Sequence, residues 1–342
     1  MQSNRSTQPP ILTCIIPIDL RRRPKDIIAR ALFLAEQAKL NNVVLSFGLN
    51  FSGGYHERHF CERLGSFSNV KINKVRNNET INLSRLRNYA FQGVATEHTL
   101  LLDVDIYPDF ELFLRGLTTI DYNNAGFCIY PCLYLSEKGS NNLISKRITP
   151  SNLLQRYFSF SRVEFLHLAS PSSITLMKSD IYKYIGGFNE LFFDHGYEDF
   201  DFLLRLCKTF GGLNNEKDLL VDLPSRSPLF AVGFRRHLGR FCFPQLLNKD
   251  ILFHIYHAKK QMNDDFYYHN RHLNYTIFRE MHSNGEALDE QGLLKTQLID
   301  FIEFVVENKK SISDYSIFFE NKPGHVDRFY SFKRKLRFLI HG

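Results

Sequence analysis

The stretch Thr99–Pro108 reads T-L-L-L-D-V-D-I-Y-P, an apolar run that ends abruptly in two carboxylates, Asp103 and Asp105. A continuous apolar run of this length is typical of a strand that is buried on both faces. Because side chains alternate along a strand, Asp103 and Asp105 are predicted to point to the same side. Carboxylates at the carboxyl end of a buried parallel strand lie where open α/β sheets bind their ligands.

Two chemistries are open to this acidic pair. Carboxylates often stabilise turns or cap a following helix, and a helix is predicted to begin near Asp109. Oxygen ligands at this spacing also suit a hard divalent cation such as Mg²⁺ or Mn²⁺, which shares its coordination shell with substrate phosphates. The apolar run before the pair and the Ile-Tyr-Pro after it favour a metal–diphosphate site.

The sequence on either side predicts an α/β fold with a mostly parallel central sheet. Before Asp103 strands and helices alternate, as in right-handed βαβ units. The predicted strands there are 11–17, 42–49 and 70–75, and the predicted helices are 25–39, 57–64 and 82–90. After Asp105 we predict helices at 109–117, 153–160, 179–186 and 198–210, strands at 125–135, 173–178, 217–222 and 251–257, a polar loop at 138–151, and an irregular basic segment at 223–250.

These elements predict one large domain over residues 11–260, with halves at 11–108 and 109–260. Residues 1–10 are predicted to be disordered, and residues 261–342 to form a helical C-terminal extension. No signal peptide and no apolar run of about 18 residues is evident, so we expect a cytoplasmic protein. The six cysteines are scattered without zinc-site spacing, which agrees with a reducing compartment.

The net charge of +7 and the isoelectric point near 9.0 fit an anionic partner: a nucleotide, a phospholipid surface or an acidic polymer. Nothing resembles a nucleic-acid-binding module, so no nucleic acid is expected. The absence of G-x-G-x-x-G and P-loop motifs argues against kinases, NTPases and nicotinamide enzymes. Arg21, Arg22 and Arg23 follow the first strand, where they could meet a nucleotide phosphate or form a solvated turn.

A second acidic cluster, in Gly196–Asp201, begins a predicted helix. Acidic residues in a first turn can simply complement the helix dipole. They can also direct an ionised carboxylate into a cleft, where it accepts a proton from an attacking hydroxyl. Under that hypothesis Asp199 or Glu198 is the base, and its neighbour binds the hydroxyls of the acceptor.

A third signal is a pair of histidines, His254 and His257. Their spacing on a predicted strand places them on opposite faces, so only one is expected to enter a site. Such a histidine could be a metal ligand or an ordinary core residue. Lys259 and Lys260, which follow, could face a diphosphate or lie in solvent.

Together these motifs resemble GT-A-fold glycosyltransferases. The shared elements, in order, are I-I-P with a basic loop, N-L-S-R-L-R-N-Y-A, L-L-L-D-V-D, I-G-G-F-N-E with G-Y-E-D-F-D-F, and H-x-x-H. The most similar branch contains β1,4-galactosyltransferases, the transferase part of polypeptide N-acetylgalactosaminyltransferases, and bacterial chondroitin- and capsule-type polymerases. The resemblance covers about residues 11–260 and implies a Rossmann-like GT-A domain, a mostly parallel sheet flanked by helices.

The resemblance implies a UDP-sugar donor and a Mn²⁺ or Mg²⁺ cofactor. By it, Asp105, with Asp103 close by, binds metal and diphosphate, and His257 completes the metal shell. Asp199 is implied as the catalytic base of an inverting displacement. The residues expected to bind the donor are Pro17, Arg21, Arg22, Arg23, Arg87, Asn88, Asp103, Asp105 and Lys260, and those expected on the acceptor side are Gly187, Tyr197 and Glu198.

The chain departs from the family pattern at two places. The W-G or G-W that usually precedes the E-D pair is replaced by His195-Gly196-Tyr197, which leaves Tyr197 as the ring that could stack on an acceptor sugar. The second-strand Asp or Glu that often contacts uracil is not evident in V-V-L-S-F-G-L-N.

We therefore predict an inverting, metal-dependent glycosyltransferase that moves a hexose or N-acetylhexosamine to a glycan or lipid-linked glycan. Segment 223–250 is a predicted lid whose arginines suit an acidic glycan. The terminal K-R-K-L-R-F-L-I could lie on an anionic membrane or form a plain helix. These features suggest bacterial capsule or surface-polysaccharide synthesis at the inner membrane face, with a partner glycosyltransferase. A retaining mechanism, a sugar-nucleotide nucleotidyltransferase and a non-catalytic carbohydrate-binding module are the alternatives.

Overall fold

The computed structural model describes residues 9–76, 80–122, 126–213, 216, 218–223, 225, 227–257, 270–283 and 296–320. The chain divides into two compact units that are interleaved along the sequence. The first comprises 1–128, 173–212 and 261–282, and the second comprises 129–172, 213–260 and 283–342. Domain boundaries at 108 and 260 stay predictions. Residues 1–8, Lys260 and the basic C-terminal segment, for which we made predictions, lie outside the described residues.

The described elements follow one another in α/β order. The first half contains β1 (Leu12–Ile18), α1 (Pro24–Leu40), β2 (Val44–Asn50), α2 (Tyr55–Leu64), β3 (Val70–Val75), α3 (Leu83–Phe91), β4 (His98–Leu101), α4 (Phe110–Tyr122), β5 (Phe127–Ile129), β6 (Cys132–Leu135), α5 (Glu137–Ile144) and α6 (Pro150–Phe158). The second half contains β7 (Phe165–Ala169), β8 (Thr175–Lys178), α7 (Ser179–Tyr184), α8 (Glu198–Phe210), α9 (Phe234–Gly239), α10 (Phe243–Asn248), β9 (Leu252–His254), α11 (Arg271–His282) and α12 (Leu298–Glu307). None of these described helices is long and apolar enough to cross a membrane.

The first unit is built on a six-stranded sheet with the strand order β3-β2-β1-β4-β8-β5. β1 pairs in parallel with β2 and β4, and β2 pairs in parallel with β3. β8 runs antiparallel to β4. The predicted α/β fold with a mostly parallel central sheet is therefore confirmed, and the central strands are apolar because they are buried on both faces.

β4 is shorter than predicted. It ends at Leu101, and a turn follows in which the Ile106 N–H donates to the Asp103 carbonyl at 3.0 Å. Strand alternation therefore does not apply to Asp103 and Asp105, and the prediction that they share one strand face is wrong. Asp105 contacts arginines of the α1 region, whereas Asp103 contacts an arginine of α3.

A buried ion cluster attaches α11 to α8 within the first unit. Asp201 of α8 has no exposed side-chain surface, and it accepts a hydrogen bond from Arg205 Nη2 at 2.8 Å. Its other oxygen lies 3.0 Å from Nε2 of His282, the last residue of α11. These contacts join two helices that are far apart in the sequence.

We expect Asp201→Ala to lower the free energy of unfolding by about 3 kcal/mol, because the change leaves Arg205 and His282 without their carboxylate. Urea denaturation would measure the loss. Asp180→Ala is the matched control, since Asp180 is 94% exposed and pairs with Lys183 on the surface; its effect should stay within about 0.5 kcal/mol. Equal effects of the two changes would contradict the structural role of the cluster.

The second unit contains a three-stranded sheet with the order β7-β6-β9. β6 pairs antiparallel with β7 and parallel with β9. A 3₁₀ helix of the same unit, Ile312–Phe319, packs on its α10, where the Tyr315 hydroxyl donates to the Leu247 carbonyl at 2.8 Å. Its Phe318 carbonyl accepts a hydrogen bond from Ser227 Oγ at 2.7 Å.

Several secondary-structure predictions for the second unit are wrong. The predicted loop 138–151 contains α5 and the start of α6, because Ser136 and Thr149 cap these helices through hydrogen bonds from Gly139 and Asn152 N–H groups. Residues 218–222 form a turn and no strand, and segment 223–250 contains α9, α10 and two 3₁₀ helices among its described residues. The predicted strand 125–135 is two strands, and β7 was not predicted.

Candidate active site

Asp105 lies just beyond β4, is 8% exposed, and is enclosed by two arginines. Its Oδ2 accepts a hydrogen bond from Arg23 Nη2 at 2.9 Å, and its Oδ1 accepts one from Arg30 Nη1. Asp26 pairs with both arginines. Burial would lower the pKa of Arg23, but Asp105 and Asp26 raise it above its ordinary value. Arg30 was not a predicted site residue, although it follows Arg23 at the spacing of one helix face.

Asp103 and Asp199 are joined by one buried cation, Arg87 of α3. Its side chain is 4% exposed, with Nη2 3.3 Å from Asp103 Oδ1 and Nη1 3.0 Å from Asp199 Oδ1. Its guanidinium lies 4.8 Å from the centre of the Phe188 ring. Burial would lower the pKa of Arg87, but Asp199 and Asp103 raise it. The structure thus brings together two acidic motifs that are nearly a hundred positions apart in the sequence.

Glu198 and Asp199, at the start of α8, differ in their environments. Glu198 is buried, accepts the Gly196 N–H at 2.7 Å, and lies 3.5 Å from His195 Nδ1. Burial would raise the pKa of Glu198, but His195 and Arg87 lower it to about 2. For Asp199, burial and the charges of Glu198 and Asp103 outweigh Arg87 and raise the pKa to about 7. Asp199 is therefore the carboxyl of this pair that titrates near neutrality.

The Gly-Gly-Phe-Asn-Glu loop before α8 is held by Asn88. The side-chain carbonyl of Asn88 accepts hydrogen bonds from the Tyr182 hydroxyl and the Phe188 N–H, both at 2.8 Å. Its amide donates to the Phe188 carbonyl and to Glu190 Oε1, both at 2.9 Å. A Cβ on Gly187 would lie 2.6 Å from Asn88 Oδ1, so this position requires glycine. These contacts use the full hydrogen-bonding capacity of the amide, and contact of Asn88 with a nucleotide stays a prediction.

Tyr197 is 7% exposed, with φ of 70° directly before α8. Its ring is covered by Tyr275 and Phe278 of α11, with ring centres 5.0 and 5.5 Å away. The guanidinium of Arg271 lies 5.3 Å from the ring centre. The structure does not favour the predicted stacking of Tyr197 on a sugar, because these neighbours already cover the ring.

A second polar cluster lies where β1 and β2 end. Asp19 Oδ2 accepts hydrogen bonds from Asn50 Nδ2 and Arg21 Nη2, each at 2.8 Å. Asn50 is 6% exposed, and its Oδ1 has no hydrogen-bond partner among the described residues. Pro17 lies within β1, and Arg22 is half-buried in the following loop. Asp19 and Asn50 were not predicted site residues, although each is a polar residue at the end of an apolar strand.

His254 and His257 belong to the second unit. β9 ends at His254, and the two imidazole centres are 5.5 Å apart, so the prediction that they lie on opposite strand faces is wrong. His254 stacks on Tyr134 of β6, which stacks in turn on His167 of β7, each at 4.2 Å. Metal binding by His257 stays a prediction.

Among the described residues of segment 223–250, the arginines Arg235, Arg236 and Arg240 are paired within the second unit. Arg235 Nε lies 2.5 Å from Asp222 Oδ1. Arg236 and Arg240 lie 3.3 and 3.5 Å from Asp300. Because carboxylates neutralise these side chains, the structure does not favour the prediction that they bind an acidic glycan.

Residues 14–282 match the family model described as "Glycosyltransferase like family 2". No curated protein matches the chain. A match of this length covers both acidic motifs and the sheet that carries them.

Three solved structures are similar to the chain at low identity. S. aureus TarS 1–349 is 18% identical with a TM-score of 0.38, and the match covers 57% of this chain and 54% of that chain. The catalytic domain of Drosophila β1,4-galactosyltransferase 7 with xylobiose is 13% identical with a TM-score of 0.31, and the match covers 58% of this chain and 61% of that chain. The mannosyltransferase PcManGT from Pyrobaculum calidifontis with GDP-Man and Mn²⁺ is 13% identical with a TM-score of 0.37, and the match covers 60% of this chain and 54% of that chain. The chain spans less than two thirds of each of them. Similarity this low carries no argument about donor or acceptor. The family match over residues 14–282 decides the class, and the chain belongs to the glycosyltransferase-like family 2.

Proposed function

We propose that this glycosyltransferase moves a hexose or N-acetylhexosamine from a UDP-sugar to a glycan hydroxyl with inversion, with Asp199 as the base. The observation that carries the proposal is the Arg87 bridge. One buried cation links Asp103, on the predicted diphosphate side, with Asp199 at the start of α8. A single displacement needs a base for the attacking hydroxyl and charge neutralisation for the leaving diphosphate, and this bridge would make the two groups neighbours.

The two carboxyls at the start of α8 support separate roles. A pKa near 7 suits Asp199 for taking a proton from the attacking hydroxyl at neutral pH. Glu198 stays ionised, is fixed by the Gly196 N–H, and suits hydrogen bonding to acceptor hydroxyls. Neighbouring carboxyls whose environments separate their pKa values commonly divide acid–base and binding roles.

The residues present fit a hard divalent cation. The Asp103 side chain is 36% exposed and, among the described residues, its oxygens contact only Arg87 and Ser173, so acceptor capacity remains. Asp105 would exchange an arginine contact for the cation. Mn²⁺ or Mg²⁺ would be held by Asp103 and Asp105, with His257 as the proposed imidazole ligand, and would supply charge neutralisation to the diphosphate.

The donor assignment is tested by the release of free UDP from a panel of UDP-sugars, with Mn²⁺ or EDTA. Release from one sugar that requires the metal and is lost in Asp105→Ala would support the proposal. GDP-mannose serves as the control donor. No release from any donor, together with no metal-dependent UDP binding by calorimetry, would refute the transferase assignment and leave a carbohydrate-binding module.

We also propose that Asn50 contacts the nucleobase. Its Nδ2 is engaged by Asp19, while the buried Oδ1 can accept the N3–H of uracil. Asn50→Leu should raise the KM for the UDP-sugar about tenfold, the typical effect of one lost hydrogen bond, with kcat little changed. Asn73→Leu on β3 is the matched control, because Asn73 Nδ2 donates to Ser46 Oγ instead. Equal KM values for both variants would contradict the assignment.

The pH dependence follows from the raised pKa of Asp199. The base must be ionised, so kcat/KM should fall tenfold per unit as the pH drops below about 7, and it should be level above. An unperturbed aspartate would place this limb near pH 4. Initial rates at saturating metal, measured as a function of pH with the donor identified above, would give the pH at which kcat/KM begins to fall. An acid limb below pH 5 would contradict Asp199 as the base in this environment.

The cellular role is proposed from the resemblance alone. A lipid-linked glycan acceptor, a second glycosyltransferase as partner, and capsule or surface-polysaccharide assembly at the inner membrane face form one consistent proposal. Vesicle flotation with and without anionic lipid would test the membrane contact of the basic C-terminal segment. Loss of flotation on removal of residues 332–342 would support it, and unchanged flotation would refute it.

A further inference from the structure

The loop before the Glu198–Asp199 pair carries a cation, Arg271, that lay outside the predicted site. Its guanidinium lies over the ring of Tyr197, 5.3 Å from the centre. A Cβ built on Gly196 would lie 3.2 Å from Arg271 Nη1, so the guanidinium also covers the backbone of that residue. Gly196 is the residue whose N–H fixes the Glu198 carboxylate at 2.7 Å. Arg271 therefore lies beside the proposed acceptor side.

The position of Arg271 is fixed by the contacts of its helix. Arg271 is the first residue of α11, and the preceding Asn270 donates to Asp194 Oδ2 at 2.7 Å. One turn later Asn274 donates to the Phe193 carbonyl at 2.7 Å. The far end of the helix is held to α8 by His282 and Asp201. The helix is thus anchored along its length to the segment that leads into α8.

The charge of Arg271 has no carboxylate partner among the described residues, unlike that of Arg205, which pairs with Asp201. Arg271 is half-buried, and its contacts are an aromatic ring and a glycine backbone. Neither contact uses the N–H donors of a guanidinium as a carboxylate would. In the part of the chain that the structure describes no acceptor occupies those donors, and their planar fork suits carboxylate or phosphate groups.

We propose that Arg271 binds an anionic group, a carboxylate or a phosphate, on the acceptor. This inference rests on the proposed transferase function, because it takes Asp199 as the point of attack. Gly196 and Asp199 are three positions apart in the sequence, roughly 11 Å at most along the chain. The anionic group would therefore lie on the reacting sugar or on its neighbour. His195, whose side chain is 34% exposed, adds a further polar group to the same loop.

This surface differs from the acidic-glycan site predicted from the sequence. Arg235, Arg236 and Arg240 are neutralised by aspartates of the second unit. Arg271 instead covers the one aromatic ring that was predicted to stack on a sugar. The covered ring of Tyr197 therefore does not offer a stacking surface to the apolar face of a sugar, whereas Arg271 can pair with a negatively charged substituent.

The test is direct binding of small acceptor probes to the full chain, measured by ligand-observed NMR competition. The probes are methyl β-glucuronide and glucose 6-phosphate, with methyl β-glucoside as the neutral reference. We expect both acidic probes, or one of them, to bind the wild type more tightly than the neutral sugar. Arg271→Met should weaken the acidic probe about tenfold to a hundredfold and leave the neutral sugar unchanged. The acidic probe that loses affinity in Arg271→Met shows whether the group bound on the acceptor is a carboxylate or a phosphate.

Arg279→Met is the matched control, since Arg279 lies on the same helix over Tyr275, 5.7 Å from the ring centre, and is exposed. It should bind all probes as the wild type does. Equal binding of neutral and acidic probes, or equal losses in the two variants, would overturn the proposal. If Arg271→Met is unfolded by circular dichroism, Arg271→Lys should bind the acidic probe more tightly than Arg271→Gln, and equal affinities would overturn it.

Probe binding requires no turnover, so the two proposals fail separately. Charge-selective binding through Arg271 without UDP release from any donor would refute the transferase proposal alone. Donor turnover with no charge preference would refute the Arg271 proposal alone.

Discussion

Asp199→Asn is expected to lower kcat by about 10²–10⁴-fold, the range that a positioned general base contributes. The amide keeps the size of the side chain but cannot take the proton of the acceptor hydroxyl. Donor binding should be retained, because the change leaves Asp103, Asp105 and the arginines near them in place. The measurement is the rate of UDP release with acceptor at saturating donor, together with the UDP affinity by calorimetry.

The stability of the same variant separates a catalytic from a structural role. The folded state raises the pKa of Asp199, so the ionised carboxylate is less favourable there than in the unfolded chain. As the pH rises from the pKa of Asp199 in the unfolded chain toward 7, the charge on Asp199 therefore lowers the free energy of unfolding. Because asparagine carries no charge, Asp199→Asn should not lower the urea midpoint at pH 8. Asp180→Asn, at a 94% exposed position, is the control for both measurements. A parallel loss of activity and stability would contradict the role as base.

Arg87→Met is expected to give the largest loss of stability, about 3–5 kcal/mol, because it removes a buried cation from the half-buried carboxylates of Asp103 and Asp199. Asp199 would keep the negative charges of Glu198 and Asp103 as neighbours but lose the cation of Arg87. The loss should be greater at pH 8 than at pH 5, since protonation of Asp199 relieves the repulsion at the lower pH. Urea denaturation at the two pH values would measure both effects.

Two further variants test the geometry of Arg87. Arg87→Lys keeps the charge, but one ammonium cannot reproduce the fork that reaches Asp103 and Asp199 together, so intermediate stability and reduced activity are expected. Arg85→Met is the matched control on the same helix. Arg85 is 39% exposed and 3.9 Å from Glu190, so its loss should cost less than about 1 kcal/mol. Similar losses for Arg85→Met and Arg87→Met would refute the bridge.

The outcomes of these variants also distinguish between the functions that the sequence leaves open. A carbohydrate-binding module would show sugar binding with no dependence of any rate on Asp199. A nucleotidyltransferase would release pyrophosphate from a nucleoside triphosphate and a sugar phosphate. An inverting transferase requires the metal-dependent release of UDP, the acid limb near pH 7, and a product of opposite anomeric configuration.

The local patterns of the first unit were sufficient to predict most of its elements, although not the end of β4 or the bounds of β5. The periodicity of apolar residues and the signals at the helix ends predicted that α8 begins at Glu198 and that β3 spans Val70–Val75, and both are observed. Long apolar runs identified the buried strands of the parallel sheet, because a strand covered on both faces needs no polar positions. The same logic predicted Asp103, Asp105 and the acidic start of α8 as site candidates.

The second unit was predicted poorly because its elements are short. α9 and α10 each span six residues, too few for a periodic pattern to stand out, and tertiary packing stabilises them. β7 contains a histidine within five residues and lacks the long apolar run that marks the central strands. The polar residues of 138–151 suggested a loop, whereas two of the flanking hydroxyls are helix caps.

The sequence by itself determined the class of fold, the family and the two acidic motifs, since each is a local pattern of residues. Only the tertiary structure decided which charges meet. Arg87 could be linked to Asp103 and Asp199, and Arg271 to the loop before Glu198, only once the folded chain brought them within a few ångströms. Electrostatic energies and pKa values depend on distance and burial rather than on position in the chain, and for that reason they follow from the fold.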